Sequence, residues 1–498
     1  MSLLNNIDDF LVGWVTFPLT NHLMNRRRVM GKYRGLLRSD RFSADALQAL
    51  QLTRLKHTLS RAHQNCPFHA ERFREAGFDP QHLRSLDDIQ QVPILTRDVV
   101  TAHRQELLDL RFRGAIDSAE HSKRAAGLPI PLARLRKHRL VRNGSSGSTG
   151  APTIFYEDGS STAMNWAHEL RLKHWFGIHP GASEARFARV PSEYLPNTRV
   201  LRARWRLWHQ LILPSMNLVD ADYERALARL AAYRPRVLFG ITSALLGLVN
   251  YLERTNQQQA LHRVELIISW AAPLYQHERK CLQDFFHAPV TNIYGSREVG
   301  HVACLCPEGR LHVNEENYFV EIEPTKVVGT NGGVESAHNG PGEILVTPLF
   351  ETPLPFIRYR IGDIGEWATS ECPCGRKQRV IENLLGRSGE VFRTDDGRVI
   401  APNFWCRTFM RREACDSVER FQVVLCRGGG IRFRIVVRST YTPETEASIR
   451  DYLRQNLSAG TPLEFQYVER IEPHPNGKYP MVVVEPPEIQ HELQATMA

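Results

Sequence analysis

Apolar positions along this chain change their spacing from segment to segment, and the changes predict a layered fold of helices and strands. Leu52, Leu55 and Leu59 recur at helical spacing, which gives that segment one face for burial. Further along, helical patterns alternate with short apolar runs, in the order 223–233, 236–239, 264–268 and 277–286. This alternation is typical of α/β proteins.

Strand-like runs dominate after residue 315, and the pattern changes again near Leu385. The predicted strands of the first stretch lie at 318–322, 343–347 and 365–367. Beyond them, Gly428-Gly429-Gly430 separates two apolar runs as in a hairpin, and Thr442-Pro443 begins a helical pattern. We therefore predict a large N-terminal α/β domain, 1–385, and a small α+β C-terminal domain, 386–498.

Composition places the chain among globular proteins, because 42% of its 498 residues are hydrophobic and 23% are charged. Nine cysteines without a secretory signal favour thiols or metal ligands in a reducing compartment, so we expect a cytoplasmic protein. The net charge of +9 is concentrated in residues 111–142, which carry nine Arg or Lys and two acids. This basic run would attract ATP, CoA or an acidic carrier surface, or it is simply a solvated insertion. No nucleic-acid motif accompanies it, so we expect no nucleic-acid partner.

An apolar segment lies near the N-terminus, at residues 10–20. It holds eleven residues including Pro18, whereas a membrane-spanning helix needs about 20. Three arginines follow at 26–28, so a peripheral contact with a membrane surface is conceivable. We favour the alternative, an N-terminal helix packed on the main domain.

Residues 143–152, Asn-Gly-Ser-Ser-Gly-Ser-Thr-Gly-Ala-Pro, combine three glycines and four hydroxyl side chains with no acid. Glycines let backbone N–H groups turn inward and hydroxyls add donors, so the segment suits a polyphosphate. Its spacing is neither that of a Walker A loop nor that of a dinucleotide-binding loop. A flexible surface linker is the alternative reading.

Further motifs follow in a fixed order: Tyr294-Gly295-Ser296-Arg297-Glu298, Arg360-Ile361-Gly362-Asp363, Gly386-Arg387 and Gly477-Lys478. Together with the glycine-rich segment, this order resembles the adenylate-forming enzymes. Cys66-Pro67-Phe68-His69 and the segment 92–97 are similar to phrases of the phenylacetate–CoA ligase and CapK branch. The resemblance extends over almost the whole chain.

The resemblance implies an enzyme that joins a carboxylic acid to AMP from ATP and then passes the acyl group to a thiol, with a mobile C-terminal lid. Pyrophosphate would be held by the glycine-rich loop, that is by Ser145, Ser146, Gly147, Ser148, Thr149 and Gly150. Glu298 would hold Mg²⁺ and Tyr294 would lie against adenine, while Asp363 would accept the ribose hydroxyls. Arg387 would add a donor near the ribose, and Lys478 would reach the α-phosphate from the lid.

The acceptor thiol implied by the resemblance is that of CoA. A carrier-protein thiol or a sugar acceptor in surface-polysaccharide assembly is an alternative, and a non-catalytic relative that binds nucleotide is another. Two departures from the family pattern keep the last reading open: Ala151 stands where the family usually has Lys, and Arg297 where it has Thr. A third departure, the lack of the usual Glu in the segment 269–273, leaves the choice of substrate open.

Two Cys-x-Cys pairs suggest a separate metal site: Cys304-Leu305-Cys306 and Cys372-Pro373-Cys374. Soft ligands of this kind suit tetrahedral Zn²⁺. By resemblance to phenylacetate–CoA ligase-like proteins we assign a structural zinc to Cys306, His312, Cys372 and Cys374, with Cys304 and His301 as reserves. The alternative is that these side chains are simply buried and bind no metal.

Overall fold

The computed structural model describes most of the chain in separate stretches, and the following statements concern these residues. They are 8–25, 28–115, 140–144, 154–188, 199–215, 218–257, 261, 264–272, 274–324, 327–328, 334–335, 341–387, 392–393, 399–400, 402–409, 417–426, 430–457, 460–472 and 481–485. They divide into two compact units. Unit 1 contains the residues up to Glu323 together with Glu343–Leu384, and unit 2 contains Pro324–Gly342, Leu385–His474 and the described residues 481–485.

The helices of the described residues are Phe17–Asn25 (α1), Val29–Ser39 (α2), Ala44–Asn65 (α3), Pro67–Glu75 (α4), Arg97–Ala102 (α5), Gly159–Trp175 (α6), Arg199–Leu207 (α7), Asp220–Tyr233 (α8), Thr242–Arg254 (α9), Gln276–Phe286 (α10), Pro402–Phe409 (α11) and Pro443–Asn456 (α12). Several begin where a side chain satisfies the first free N–H groups. Ser43 accepts from the Ala46 N–H at the start of α3, and Thr442 accepts from the Thr445 N–H at the start of α12.

The strands are Val141–Gly144 (β1), Ile154–Glu157 (β2), Glu184–Ala188 (β3), Gln210–Pro214 (β4), Val237–Ile241 (β5), Leu266–Trp270 (β6), Val290–Ser296 (β7), Gly300–Leu305 (β8), Leu311–Val313 (β9), Tyr318–Pro324 (β10), Val327–Val328 (β11), Val334–Glu335 (β12), Gly342–Pro348 (β13), Tyr359–Trp367 (β14), Val380–Arg387 (β15), Phe392–Arg393 (β16), Val399–Ile400 (β17), Val418–Leu425 (β18), Ile431–Val437 (β19), Leu463–Tyr467 (β20) and Val482–Val484 (β21). Eleven of them form one large sheet, in the order β10-β13-β14-β15-β9-β8-β7-β6-β5-β3-β4.

One half of the large sheet is parallel. Strands β4, β3, β5, β6 and β7 pair in parallel, and α8, α9 and α10 connect successive strands. All five residues of β5 are buried, as expected for a parallel strand covered on both faces. Leu248 of α9 and Leu282 of α10 pack with Ile267 of β6 in one core cluster. The carboxyl ends of these strands therefore lie along one edge, where ligands of α/β proteins usually bind.

The direction of pairing changes at β7. Strand β8 pairs antiparallel with β7, β9 with β8, and β15 with β9. The change follows the turn at residues 297–299, which contains the candidate site residue Glu298. The fold therefore places the Tyr294–Glu298 motif at the junction between the parallel and antiparallel halves.

Unit 2 is built around the four-stranded sheet β20-β19-β18-β21. Strands β18 and β19 form an antiparallel pair, and β20 and β21 flank them in parallel. Trp405 and Phe409 of α11 pack on Phe433 of β19. The predicted fold class is confirmed, with a large mixed α/β unit and a smaller α+β unit. The short strands β11 and β12 cluster with unit 2, an excursion of the chain that the sequence did not suggest.

A buried ionic network ties three elements of unit 1 together. Arg171 of α6 is 1% exposed, and its Nη1 donates to Glu316 Oε1 at 2.7 Å. The same carboxylate oxygen accepts from Ser39 Oγ at the end of α2 and from Gln378 Nε2 before β15. Because each removed partner would leave a buried charge unpaired, this network fixes the relative position of these elements.

The apolar N-terminal segment is helical, and one side of it is packed. A π-helical stretch, Val12–Thr16, runs into α1, and Phe17 lies against Trp166 and Trp208. This contact agrees with the predicted packing of the segment on the main domain. Among the described residues, no helix combines the length and the hydropathy needed to cross a bilayer.

Candidate active site and metal centre

Two candidate site residues meet at the junction of the large sheet. Tyr294 in β7 is buried, and its hydroxyl donates to Oδ2 of Asp363 in β14 at 3.0 Å. The two residues are 69 positions apart in the chain, so the fold alone brings them together. Gly362, before Asp363, has φ +85°, a conformation that glycine adopts without strain. An aromatic ring and a carboxylate in contact suit an adenosine, with the ring against the base and the carboxylate near the sugar.

Glu298 lies in the turn after β7, beside a small cavity. The cavity walls combine aromatic, aliphatic and polar side chains: Tyr156, Glu157, Ser161, Asn165, Val299, Gly300, Phe350, Thr352, Leu354 and Phe356. Asn165 is fixed there, because its Oδ1 accepts the His301 N–H at 3.1 Å. A half-buried carboxylate beside an enclosed space can hold a cation next to a substrate.

Further polar groups lie at the carboxyl edge of the parallel strands. Trp270 Nε1, at the end of β6, and Ser296 Oγ, at the end of β7, are buried atoms without a hydrogen-bond partner among the described residues. The next residue after β6, Ala271, has φ +63°, which costs a non-glycine residue about 1–2 kcal/mol. Buried unpaired donors and local strain are features of ligand sites. In the sequence, the segment 269–273 stands out only because it lacks the usual Glu.

Arg297 contacts the strand that leads into the glycine-rich segment. Its Nη1 donates to the carbonyl oxygen of Gly144, the last residue of β1. Strand β1 pairs antiparallel with β2, and Gly144 lies opposite Ile154. The two ends of the glycine-rich segment are therefore held side by side, and the residue that departs from the family pattern anchors one of them.

Several candidate residues fall outside the described part of the chain. They are Ser145, Ser146, Gly147, Ser148, Thr149, Gly150, Ala151 and Lys478. Most of the basic run, 116–139, is outside it as well. Arg111, at the start of that run, pairs with Asp109 at 2.7 Å and Glu351 at 3.2 Å. Arg387 is the last residue of β15 and belongs to unit 2.

The four residues assigned to a metal come together in unit 1. One ligand atom from each of Cys306, His312, Cys372 and Cys374 lies within 4.8 Å of the others. The Sγ atoms of Cys306 and Cys372 are 3.7 Å apart, and Cys374 Sγ is 3.3 Å from His312 Nε2. Two thiolates bound to one tetrahedral Zn²⁺ at about 2.3 Å would lie about 3.8 Å apart, whereas a disulfide needs about 2.05 Å. The donor set and its spacing therefore fit zinc.

The surroundings of the cluster orient its ligands. The His312 Nδ1–H donates to the carbonyl oxygen of Gln378 at 2.9 Å, which leaves Nε2 facing the thiols. Gln378 also donates to Glu316, so the cluster is joined to the buried ionic network. This outer support is typical of metal-binding histidines, and the sequence did not reveal it. The reserves lie elsewhere: His301 contacts Asn165, and Cys304 Sγ accepts from Asn314 at 3.9 Å.

Burial governs protonation in the cluster. It raises the pKa of the Cys372 thiol to about 12, raises the pKa of Cys306, and lowers the pKa of His312 to about 4. Burial also opposes ionisation of Cys374, but hydrogen bonds led by the Arg376 N–H hold its pKa below the ordinary value. A neutral imidazole is the form that binds metal.

Comparison with known proteins adds sequence relatives to this geometry. Residues 392–485 match the family described as the CapK C-terminal domain. Protein CapK of Staphylococcus aureus is 21% identical over 348 residues, 69% of this chain and 74% of that protein. A phenylacetate–coenzyme A ligase of Escherichia coli K12 is 25% identical over 370 residues, 70% of this chain and 73% of the ligase.

The fold has relatives among solved structures. A 2-hydroxyisobutyryl-CoA ligase in its postadenylation state, bound to an acyl-adenylate, superposes with a TM-score of 0.65. The match covers 90% of this chain and 91% of that one, with 18% sequence identity. At this identity the likeness establishes the architecture of both units.

Proposed function

We propose that the chain is an adenylate-forming enzyme, which uses ATP to convert a carboxylic acid into an acyl-adenylate and then transfers the acyl group to a thiol; its similarity to CapK, to phenylacetate–coenzyme A ligases and to the fold of an acyl-CoA ligase supports this proposal. The observation that carries the proposal is the contact between Tyr294 and Asp363 at the junction of the large sheet. Relatives that are CoA ligases support CoA as the acceptor.

In the first half-reaction the carboxylate attacks the α-phosphorus of ATP and pyrophosphate leaves. The enzyme must reduce repulsion between anions and stabilise the charge that develops. In our proposal Glu298 holds Mg²⁺ against the phosphates, and the loop 145–150 supplies donors to the pyrophosphate. Asp363 orients the ribose, with its own position set by Tyr294. Arg387 and Lys478 are assigned from sequence alone.

Pyrophosphate release tests the proposal most directly. The full chain would be incubated with ATP, Mg²⁺ and a panel of aryl and aliphatic acids, with and without CoA. We expect at least one acid to give pyrophosphate and acyl-adenylate without CoA, and pyrophosphate, AMP and an acyl-CoA detected by mass spectrometry when CoA is present. ATP hydrolysis that is independent of any acid would contradict the assignment.

Replacement of Asp363 by Ala should raise the KM for ATP by roughly ten- to hundredfold. Loss of hydrogen bonds to a charged group costs about 1.5–3 kcal/mol, and this carboxylate is proposed to hold the ribose. Tyr294→Phe keeps the ring and removes only the hydroxyl that donates to Asp363, so its effect should be smaller. Steady-state kinetics of both variants and of the double variant would measure the energetic coupling between Tyr294 and Asp363 in ATP binding. An unchanged KM in Asp363→Ala would rule out the ribose role.

Replacement of Arg297 by Thr should raise the KM for ATP by roughly two- to tenfold, the value of one ordinary hydrogen bond. The guanidinium anchors Gly144 at the entrance to the phosphate-binding segment and adds a cation there. Arg297→Lys keeps the charge but not the planar donor geometry, so its KM for ATP should lie between the values of Arg297→Thr and wild type. If Arg297→Thr improved the use of ATP, Arg297 would be a hindrance rather than an anchor.

A second candidate function differs in the acceptor. In this alternative, which the similarity of residues 392–485 to the CapK C-terminal domain keeps open, the acceptor is a carrier-protein thiol or a sugar in surface-polysaccharide assembly. The two functions share the first half-reaction. Acid-dependent pyrophosphate release with no acyl-CoA product would favour this second function.

We also propose that Cys306, His312, Cys372 and Cys374 hold a structural zinc. The support is the spacing of their ligand atoms and the hydrogen bond from His312 to Gln378. Four protein ligands would complete a tetrahedral shell and leave no position for a substrate, so no chemical step is assigned to the ion.

A further inference from the structure

The N-terminal helix has a second apolar face, which points to solvent. Phe10, Leu11, Val15 and Leu19 are 58%, 48%, 49% and 53% exposed. They account for four of the twelve large apolar side chains exposed among the described residues, and they fall within ten positions. Leu11, Val15 and Leu19 follow one another at intervals of four, so they share one side of the helix. We call these four residues the outer stripe.

The opposite face of the same helix is anchored, so the outer stripe is held in place. Phe17 packs edge-on against Trp208, with ring centroids 5.3 Å apart, and is tilted against Trp166. Thr20 Oγ1 accepts a hydrogen bond from the indole N–H of Trp208 at 2.7 Å. A helix that is apolar on both sides, with only one side covered, has a face suited to a partner.

The charged groups around the N-terminal helix differ in whether they have a partner of opposite charge. Arg34 and Arg38 are exposed, one turn apart on α2, and the Arg34 guanidinium lies 5.3 Å from the centre of the Trp14 ring. Acids occur at the start of the helix: Asp9 pairs with Arg236 at 2.6 Å, and Asp8 lies 3.4 Å from His209. The two acids therefore have cationic partners, whereas neither Arg34 nor Arg38 has an ion-pair partner among the described residues.

We propose that the outer stripe, together with the unpaired Arg34 and Arg38 of α2, seats this protein on an anionic lipid surface. Apolar side chains would enter the boundary between headgroups and acyl chains, while the arginines contact lipid phosphates. A protein partner is less favoured, because the four side chains of the stripe offer no hydrogen-bonding group for register. The proposal concerns where the protein works and does not depend on the acid or the acceptor.

Co-sedimentation of the full chain with lipid vesicles tests this proposal. We expect binding to vesicles of phosphatidylcholine and phosphatidylglycerol, and much weaker binding to phosphatidylcholine alone. Val15→Ser/Leu19→Ser should lower the partition coefficient roughly tenfold on both vesicle types, because less apolar surface is buried. Arg34→Gln/Arg38→Gln should lower it about fivefold per charge, and only on the anionic vesicles.

A matched control comes from exposed apolar residues elsewhere in unit 1. Leu110 and Val219 are 41% and 61% exposed, and Leu110→Ser/Val219→Ser should bind vesicles like wild type. Circular dichroism and thermal melts would verify that all variants fold. Equal binding by Val15→Ser/Leu19→Ser and wild type would overturn the proposal. So would a stripe-dependent dimer in sedimentation velocity without vesicle binding, because the stripe would then be a contact between two copies.

Discussion

Replacement of Lys478 by Ala should slow adenylate formation by roughly 10²–10³, the effect of removing one group that stabilises charge in a transition state. The lysine follows Pro475-Asn476-Gly477 near the C-terminus, where a turn would project its ammonium group. In our proposal that group reaches the α-phosphate in one lid orientation and is withdrawn in the other. Transfer of the acyl group from preformed acyl-adenylate to the thiol should therefore remain near the wild-type rate.

Single-turnover assays of the two half-reactions would separate these effects. Lys280→Ala is a suitable control, because Lys280 is an exposed lysine of α10 that pairs only locally with Asp284. It should leave both rates unchanged. Equal losses in both half-reactions of Lys478→Ala would contradict a role restricted to adenylation.

The purified protein should contain about one equivalent of zinc, and loss of the ion should destabilise unit 1 more than it changes the chemistry. The ligands at 306–312 and at 372–374 close a loop of 66 residues between Cys306 and Cys372. By analogy with a covalent cross-link over that length, the closure is worth about 4 kcal/mol. Elemental analysis and denaturant unfolding, before and after treatment with a chelator, would measure both quantities.

Cys304→Ser provides the matched control for Cys372→Ser. Both thiols are buried, but only Cys372 lies in the cluster. We expect the Cys304 variant to keep its zinc and the Cys372 variant to lose it. Well under half an equivalent of zinc in wild-type protein, prepared without chelator, would reject the metal site.

The sequence predicted the elements of this fold better than their arrangement. Periodicity located α8, α10, β19 and the start of α12 to within a few residues, because each has a regular apolar face or a capping residue. The eleven-stranded order was not accessible, since it depends on pairings such as β9 with β15 between distant segments. The strand β14 also begins earlier than the apolar run at 365–367 suggested.

For the candidate site, too, the sequence identified the parts better than their arrangement. Its residues were found because their types and order match a family, and the structure then adds the contact between Tyr294 and Asp363. The support from Gln378 and the anchoring of Gly144 by Arg297 could not be foreseen, because both contacts join residues that are far apart in the sequence. Contacts of this kind form only when segments that are distant in the sequence pack against one another.

The position of β15 between β9 and β14 has a consequence for biosynthesis. Between the emergence of β9 from the ribosome and that of β15, the parallel strands β3 to β7 are already outside, but β9 has no partner on its outer side. An unpaired edge of this kind is a template for association with other chains. The nascent protein therefore passes through a period in which its largest sheet is half built and open, and chaperone protection matters most in that interval.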